Sequence, residues 1–113
     1  MSNTMVENIN CLLVSFRSDE TLAAGQVVKV TGNGTAVSCQ AGEPFCGVVG
    51  RCGNGTVGVQ VNGFAEVSAT LPLMLGRTML VADGKGGVMA GKKGVAALVV
   101  DVDVQTGTAL ICL

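Results

Sequence analysis

The sequence predicts an all-β domain, a single β-barrel or sandwich of about eight to ten short antiparallel strands, and three observations carry that reading. Glycine is 17 of 113 residues and proline only 2, with the glycines separating valine-rich runs at short intervals. Three Asn-Gly pairs, Asn33-Gly34, Asn54-Gly55 and Asn62-Gly63, mark points where both residues accept positive φ, so the chain can reverse or bend sharply. From Thr56 to Asn62 the pattern has period two: Val57, Val59 and Val61 lie on one face, and Thr56, Gly58, Gln60 and Asn62 on the other. That is the signature of a half-buried strand.

Taken in order, Met1 to Asn8 is polar and follows neither period, so it reads as a flexible N-terminal arm ahead of a domain over 9–113. Arms of this kind bind partners by adding a strand, which makes Met1, Ser2, Asn3, Thr4, Met5 and Val6 candidate partner-binding residues. Strands are expected over Asn10 to Phe16, Gln26 to Thr31, Thr35 to Cys39, Phe45 to Arg51, Thr56 to Asn62 and Phe64 to Ser68. Further strands are expected over Arg77 to Val81 and Val95 to Asp103. There Val100, Val102 and Val104 alternate with Asp101 and Asp103, and a Gln105-Thr106-Gly107 turn leads to a last strand, Thr108 to Leu113. The one helix candidate is a single turn in Ala69 to Gly76, with Thr70 as cap, Pro72 early and Gly76 as stop. Val30 to Val37 and Arg51 to Gly58 share a local pattern, which turn chemistry explains without a repeat.

Composition narrows the function. Hydrophobic residues are 49% of the chain and charged ones 13%, which excludes a disordered chain. The only aromatic residues are Phe16, Phe45 and Phe64, and seven scattered basic residues against eight acidic ones give a net charge of −1. Nucleic acid is therefore not an expected partner, because phosphate binding needs a concentrated basic field. So few charges leave much of the surface bare, as expected of a protein partly covered by other subunits. Met1 to Asn8 lacks the basic and apolar regions of a secretory leader, so the chain is expected to stay in the cell that makes it. No apolar run approaches the roughly 20 residues a membrane span needs.

Candidate chemistry is sparse. With no His and no Tyr the usual proton shuttles are missing, so no catalytic residue is assigned and an enzyme is not expected. Cys11, Cys39, Cys46, Cys52 and Cys112 read as reduced thiols; Cys46 and Cys52 have five residues between them, wider than a zinc knuckle, and no metal or cofactor is expected. Gly86 to Lys93 approaches a phosphate-binding loop, but Lys93 occupies the Ser/Thr position and a strand-like run follows instead of a helix, so it reads as a hairpin loop. Asp101 and Asp103 read as solvated outer-face residues, and Lys85 as a turn lysine.

The order of segments carries a resemblance. Ala24-Gly25-Gln26-Val27-Val28-Lys29-Val30 leads to Gly42-Glu43-Pro44-Phe45-Cys46-Gly47-Val48-Val49. Next come Val57 to Val67, Leu75-Gly76-Arg77, a Gly94-Val95-Ala96 strand and a final hairpin. Over Thr21 to Leu113 this resembles the small head decoration, or capsid cement, proteins of tailed bacteriophages. The resemblance implies a β-barrel-like subunit, often a homotrimer, that sits on the outside of the virion head and reinforces contacts between major capsid protein subunits. It also implies an arm that orders on the shell, here Met1 to Asn8. Phe16, Phe64 and Leu73 are the candidate contact anchors. A tail or baseplate β-module and a cellular β-barrel adaptor that binds a peptide are the alternatives.

Overall fold

The computed structural model describes residues 12–113, which form ten strands and no helix. The expected arm, with Met1, Ser2, Asn3, Thr4, Met5 and Val6, lies outside the described residues, as do the first residues of the strand expected at Asn10. Five strands, β1 (Leu13–Arg17), β2 (Val27–Gly32), β3 (Thr35–Ser38), β4 (Gly47–Cys52) and β5 (Thr56–Gln60), close a small barrel in the order β1-β3-β2-β4-β5. The other five, β6 (Phe64–Ser68), β7 (Gly76–Ala82), β8 (Val88–Ala90), β9 (Val95–Asp103) and β10 (Thr108–Cys112), form an open sheet in the order β6-β10-β9-β7-β8. Barrel and sandwich are thus both present, in one domain with a radius of gyration of 13.1 Å. One join departs from the antiparallel expectation: β1 meets β3 in parallel, at Arg17 opposite Thr35.

Two cores share one wall. Leu22, Val28, Ala36, Val49, Val57 and Val59 fill the barrel, while Val27, Phe45 and Val48 point outward and pack with Ala65, Val67, Leu80, Val88, Val99 and Ile111 of the sheet. Adjacent strand residues face opposite ways, so Val27-Val28 and Val48-Val49 each serve both cores, and the two pairs lie side by side in the β2–β4 register. Main-chain bonds lock the halves together: Val27 N–H to Gly86 O at 3.0 Å, Gly42 N–H to Ala82 O at 2.9 Å, and Ala82 N–H to Glu43 O at 2.9 Å.

Turn chemistry explains the connections. Gly34 at φ +71° and Gly55 at φ +72° close the β2–β3 and β4–β5 hairpins. The similarity of their local sequences has a spatial counterpart, since their carbonyls accept from the consecutive N–H groups of Arg17 and Ser18 at 2.7 and 3.0 Å. Asn62-Gly63 instead bends the chain from the barrel into the sheet.

Two expectations are corrected. Ala69 to Gly76 holds no helical turn: Ala69 bridges Val88 in parallel, Thr70 N–H bonds Val88 O at 2.8 Å, and the Leu71–Pro72 peptide is cis. The Thr70 hydroxyl, expected to cap a helix, donates to Asp83 Oδ2 at 3.0 Å. Gly86 to Lys93 is not one loop either, because Val88–Ala90 is a strand paired to β7. Its preceding turn is organised by Asp83, whose Oδ1 accepts from Lys85 N–H at 2.7 Å and Gly87 N–H at 3.0 Å. Asp83→Ala removes three acceptor contacts and is expected to lower stability by about 1–2 kcal/mol, read as a shift in the urea midpoint; Asp83→Asn retains the acceptor Oδ1 and loses less.

Candidate functional site

A sheet with one buried face should carry polar residues on the other, because inward and outward positions alternate along each strand. The open sheet breaks this rule over half of its outer face. Inward Ala65, Ala97, Val99, Ala109 and Ile111 are all buried. Outward, one register row runs Phe64, Cys112, Leu98, Arg77 across β6, β10, β9 and β7. Beside it Met79, 40% exposed, pairs with Ala96, and Met74 and Leu75, 76% and 65% exposed, lie just ahead of β7. The result is an apolar surface of partly buried and exposed side chains with the Arg77 guanidinium among them.

The opposite end of the same face is polar. Glu66, Leu110 and Asp101 form one row, and Ser68, Thr108 and Asp103 the next. A bulge places the extra residue Val100 between Val99 and Asp101, which reverses the phase of β9. Val99 therefore faces the core before the bulge and Val102 packs on it afterwards, leaving Asp101 outward. Glu66, Asp101, Asp103, Thr106 and Thr108 line a shallow hollow of about 300 Å³. The Asp103 carboxylate is held below the usual carboxylate range chiefly by the Gln105 N–H, at 3.0 Å, so it acts as the acceptor that shapes the Gln105–Gly107 turn. Among the described residues no three His, Cys, Asp or Glu side chains come close enough to hold a metal ion.

The three expected anchors have separate surroundings. Phe16 is half-buried against the barrel core, Leu73 packs on the core between barrel and sheet, and Phe64 is half-buried in the outer-face row. Leu98, Leu110, Cys112 and Met79 escaped the sequence reading. The run Val95 to Val100 is apolar in both phases, so its outward residues look like the second face of a strand buried on both sides.

Thiol and ion-pair chemistry lies on the other side, near the barrel. Burial pushes the Cys39 thiol up to about 11, so it stays protonated and unreactive near neutral pH. Lys29 Nζ sits 2.6 Å from Glu43 Oε2, and Glu43 Oε1 accepts from Gln40 N–H at 2.6 Å. The Lys29 ammonium holds Glu43 below the usual carboxylate range, and a Ser38 N–H does the same for Glu20. Groups with depressed pKa contribute stability that is present above the unfolded value and lost as pH falls through the folded one. The urea midpoint is therefore expected to fall on acidification below about pH 4.5, and Glu43→Gln to make that fall shallower.

No protein-family model matches the chain, and no curated protein matches it either.

Proposed function

We propose that this protein is a non-enzymatic decoration, or cement, protein that binds the outside of a bacteriophage head and stabilises contacts between major capsid protein subunits. One observation supports the reading: the outer face of the open sheet presents Leu98, Cys112, Met79 and Met74 around Arg77, an apolar surface over which no second sheet or helix packs among the described residues. Apolar sheet surface of this kind is what a second protein covers, and a guanidinium within it selects an apolar partner that also carries a carboxylate. The mechanism is mass action: a subunit that binds only the expanded shell stabilises that lattice by its binding free energy, repeated over many sites. No bond is made or broken. Self-association as a homotrimer completes the reading, and sedimentation equilibrium of the pure protein checks it.

Cosedimentation with empty expanded heads, assembled from the major capsid protein of the same genome, tests the function. Saturable pelleting with the heads and a raised shell disassembly temperature are the expected results. Failure to pellet with that coat overturns the reading.

A further inference from the structure

We propose that Asn33-Gly34 and Asn54-Gly55 are sites of self-modification, where the asparagine deamidates through a cyclic imide to aspartate and isoaspartate, and that the fold spares Asn62-Gly63. This inference stands independently of the capsid reading. In sequence the three pairs are equivalent, because each glycine lacks the Cβ that would crowd its own main-chain nitrogen. In the reaction that nitrogen attacks the asparagine Cγ and gives its proton to water. An N–Cγ bond forms, the Cγ–Nδ2 bond breaks, and the side-chain nitrogen leaves as ammonia with a proton returned by water. A second water opens the ring. Cleavage of the new N–Cγ bond leaves aspartate, whereas cleavage at the main-chain carbonyl carbon leaves isoaspartate, whose backbone runs through Cβ and Cγ.

Attack requires the asparagine side chain and the Asn–Gly peptide to turn toward each other, so the bonds that hold those atoms set the rate. Asn62-Gly63 is held on every side. Asn62 Oδ1 accepts from Leu12 N–H at 2.6 Å, and Leu12 is itself fixed through its carbonyl, which accepts from Val61 N–H at 3.0 Å. Asn62 O accepts from Gln60 Nε2 at 2.9 Å, and the same nitrogen donates to Phe64 O at 2.8 Å. Gly63 O accepts from Leu113 N–H at 2.9 Å. Bringing the Gly63 nitrogen onto Asn62 Cγ therefore breaks several bonds at once, at the bend that joins barrel to sheet.

The other two pairs stand at hairpin tips. Asn33, Gly34, Asn54 and Gly55 are all exposed, and no described residue comes within 4 Å of where a Cβ on either glycine would stand, so each Asn–Gly peptide can swing into solvent. The main-chain bonds of these turns, Arg17 N–H to Gly34 O at 2.7 Å and Ser18 N–H to Gly55 O at 3.0 Å, anchor the far side of the glycine and not the nitrogen that attacks. Arg17 Nη2 donates to Asn33 O at 3.2 Å, an exposed contact of a long side chain that water readily replaces. Position gives the Asn33 reaction a structural consequence. Isoaspartate adds one atom to the main chain ahead of Gly34, which displaces Gly34 O from Arg17 N–H beside the Arg17–Thr35 join of β1 and β3.

Peptide mapping by mass spectrometry tests this, on the full chain aged at mildly alkaline pH either native or unfolded in urea. The unfolded chain is expected to deamidate at all three pairs at similar rates. In the native protein Asn33 and Asn54 are expected to keep pace with the unfolded chain, and Asn62 to react about tenfold or more slowly. Leu12→Pro removes the donor to Asn62 Oδ1, and Gln60→Met removes the donor to Asn62 O. Each is expected to speed Asn62 severalfold while Asn33 and Asn54 hold their native rates, which shows that the variant remains folded. Native Asn62 reacting as fast as Asn33 and Asn54 overturns the proposal, as do native Asn33 and Asn54 as slow as Asn62. Protection of Asn62 that survives both variants overturns it too.

Discussion

Gly94→Ala is expected to cost roughly 3–5 kcal/mol, a large share of the stability of a domain this size. A Cβ at Gly94 would overlap the Leu80 carbonyl and lie 2.8 Å from Val81 Cγ1. Leu80 belongs to β7, which is paired on both sides, opposite Val95 of β9 and Ala90 of β8, so its carbonyl cannot retreat without opening a ladder. The close approach is what lets the β8–β9 turn cover Val81, which is buried although it points to the outer face. Gly34→Ala supplies the contrast. There φ is +71° and nothing lies within 4 Å of the added carbon, so only the strain of a left-handed backbone is felt, about 1 kcal/mol. Urea denaturation of both variants measures the difference, and equal costs would mean that the turn does not pack on Leu80.

Leu80→Ala is the second large effect, expected at about 3–5 kcal/mol from lost burial plus the cavity left behind. Leu80 is fully buried between barrel and sheet, among Val27, Val48, Val88 and Val99. Because Val27-Val28 and Val48-Val49 belong to both cores, loss of one core removes a wall of the other. Barrel and sheet are therefore expected to melt together: the NMR signals of Val59 in the barrel and Ile111 in the sheet should vanish at one urea midpoint, shifted equally by Leu80→Ala.

The strands were legible wherever a glycine or Asn-Gly bend met a valine-rich run, because those residues encode reversal and pleat locally. Thr56–Gln60 and Phe64–Ser68 fall inside or on their expected bounds for that reason. The short strand Val88–Ala90 was hidden by glycines and lysines that describe its flanking turns and not the three residues between them. Ala69 to Gly76 carries local helix signals that long-range partners override, with Thr70 engaged by Val88 and Asp83. The division into barrel and sheet was not legible at all: Val27-Val28 and Val48-Val49 are apolar on both faces, and nothing in the pair says which residue serves which core. The candidate surface stayed hidden for a related cause, since Leu98 and Cys112 are recognisable as outward residues only once the register to Arg77 and Phe64 is known.

Cys112 stands in the middle of the apolar row and gives the account its most direct measurement. Its thiol lies on the outer face of the sheet, whereas exposed Cys52 lies on the barrel. Alkylation of both thiols, quantified by mass spectrometry for the free protein and for the protein bound to expanded heads, reports which surface the shell covers. Binding is expected to slow the modification of Cys112 by about tenfold or more and to leave Cys52 reactive. Unchanged alkylation of Cys112 on bound protein, or protection of Cys52 in its place, would contradict the assignment of the outer face as the docking surface.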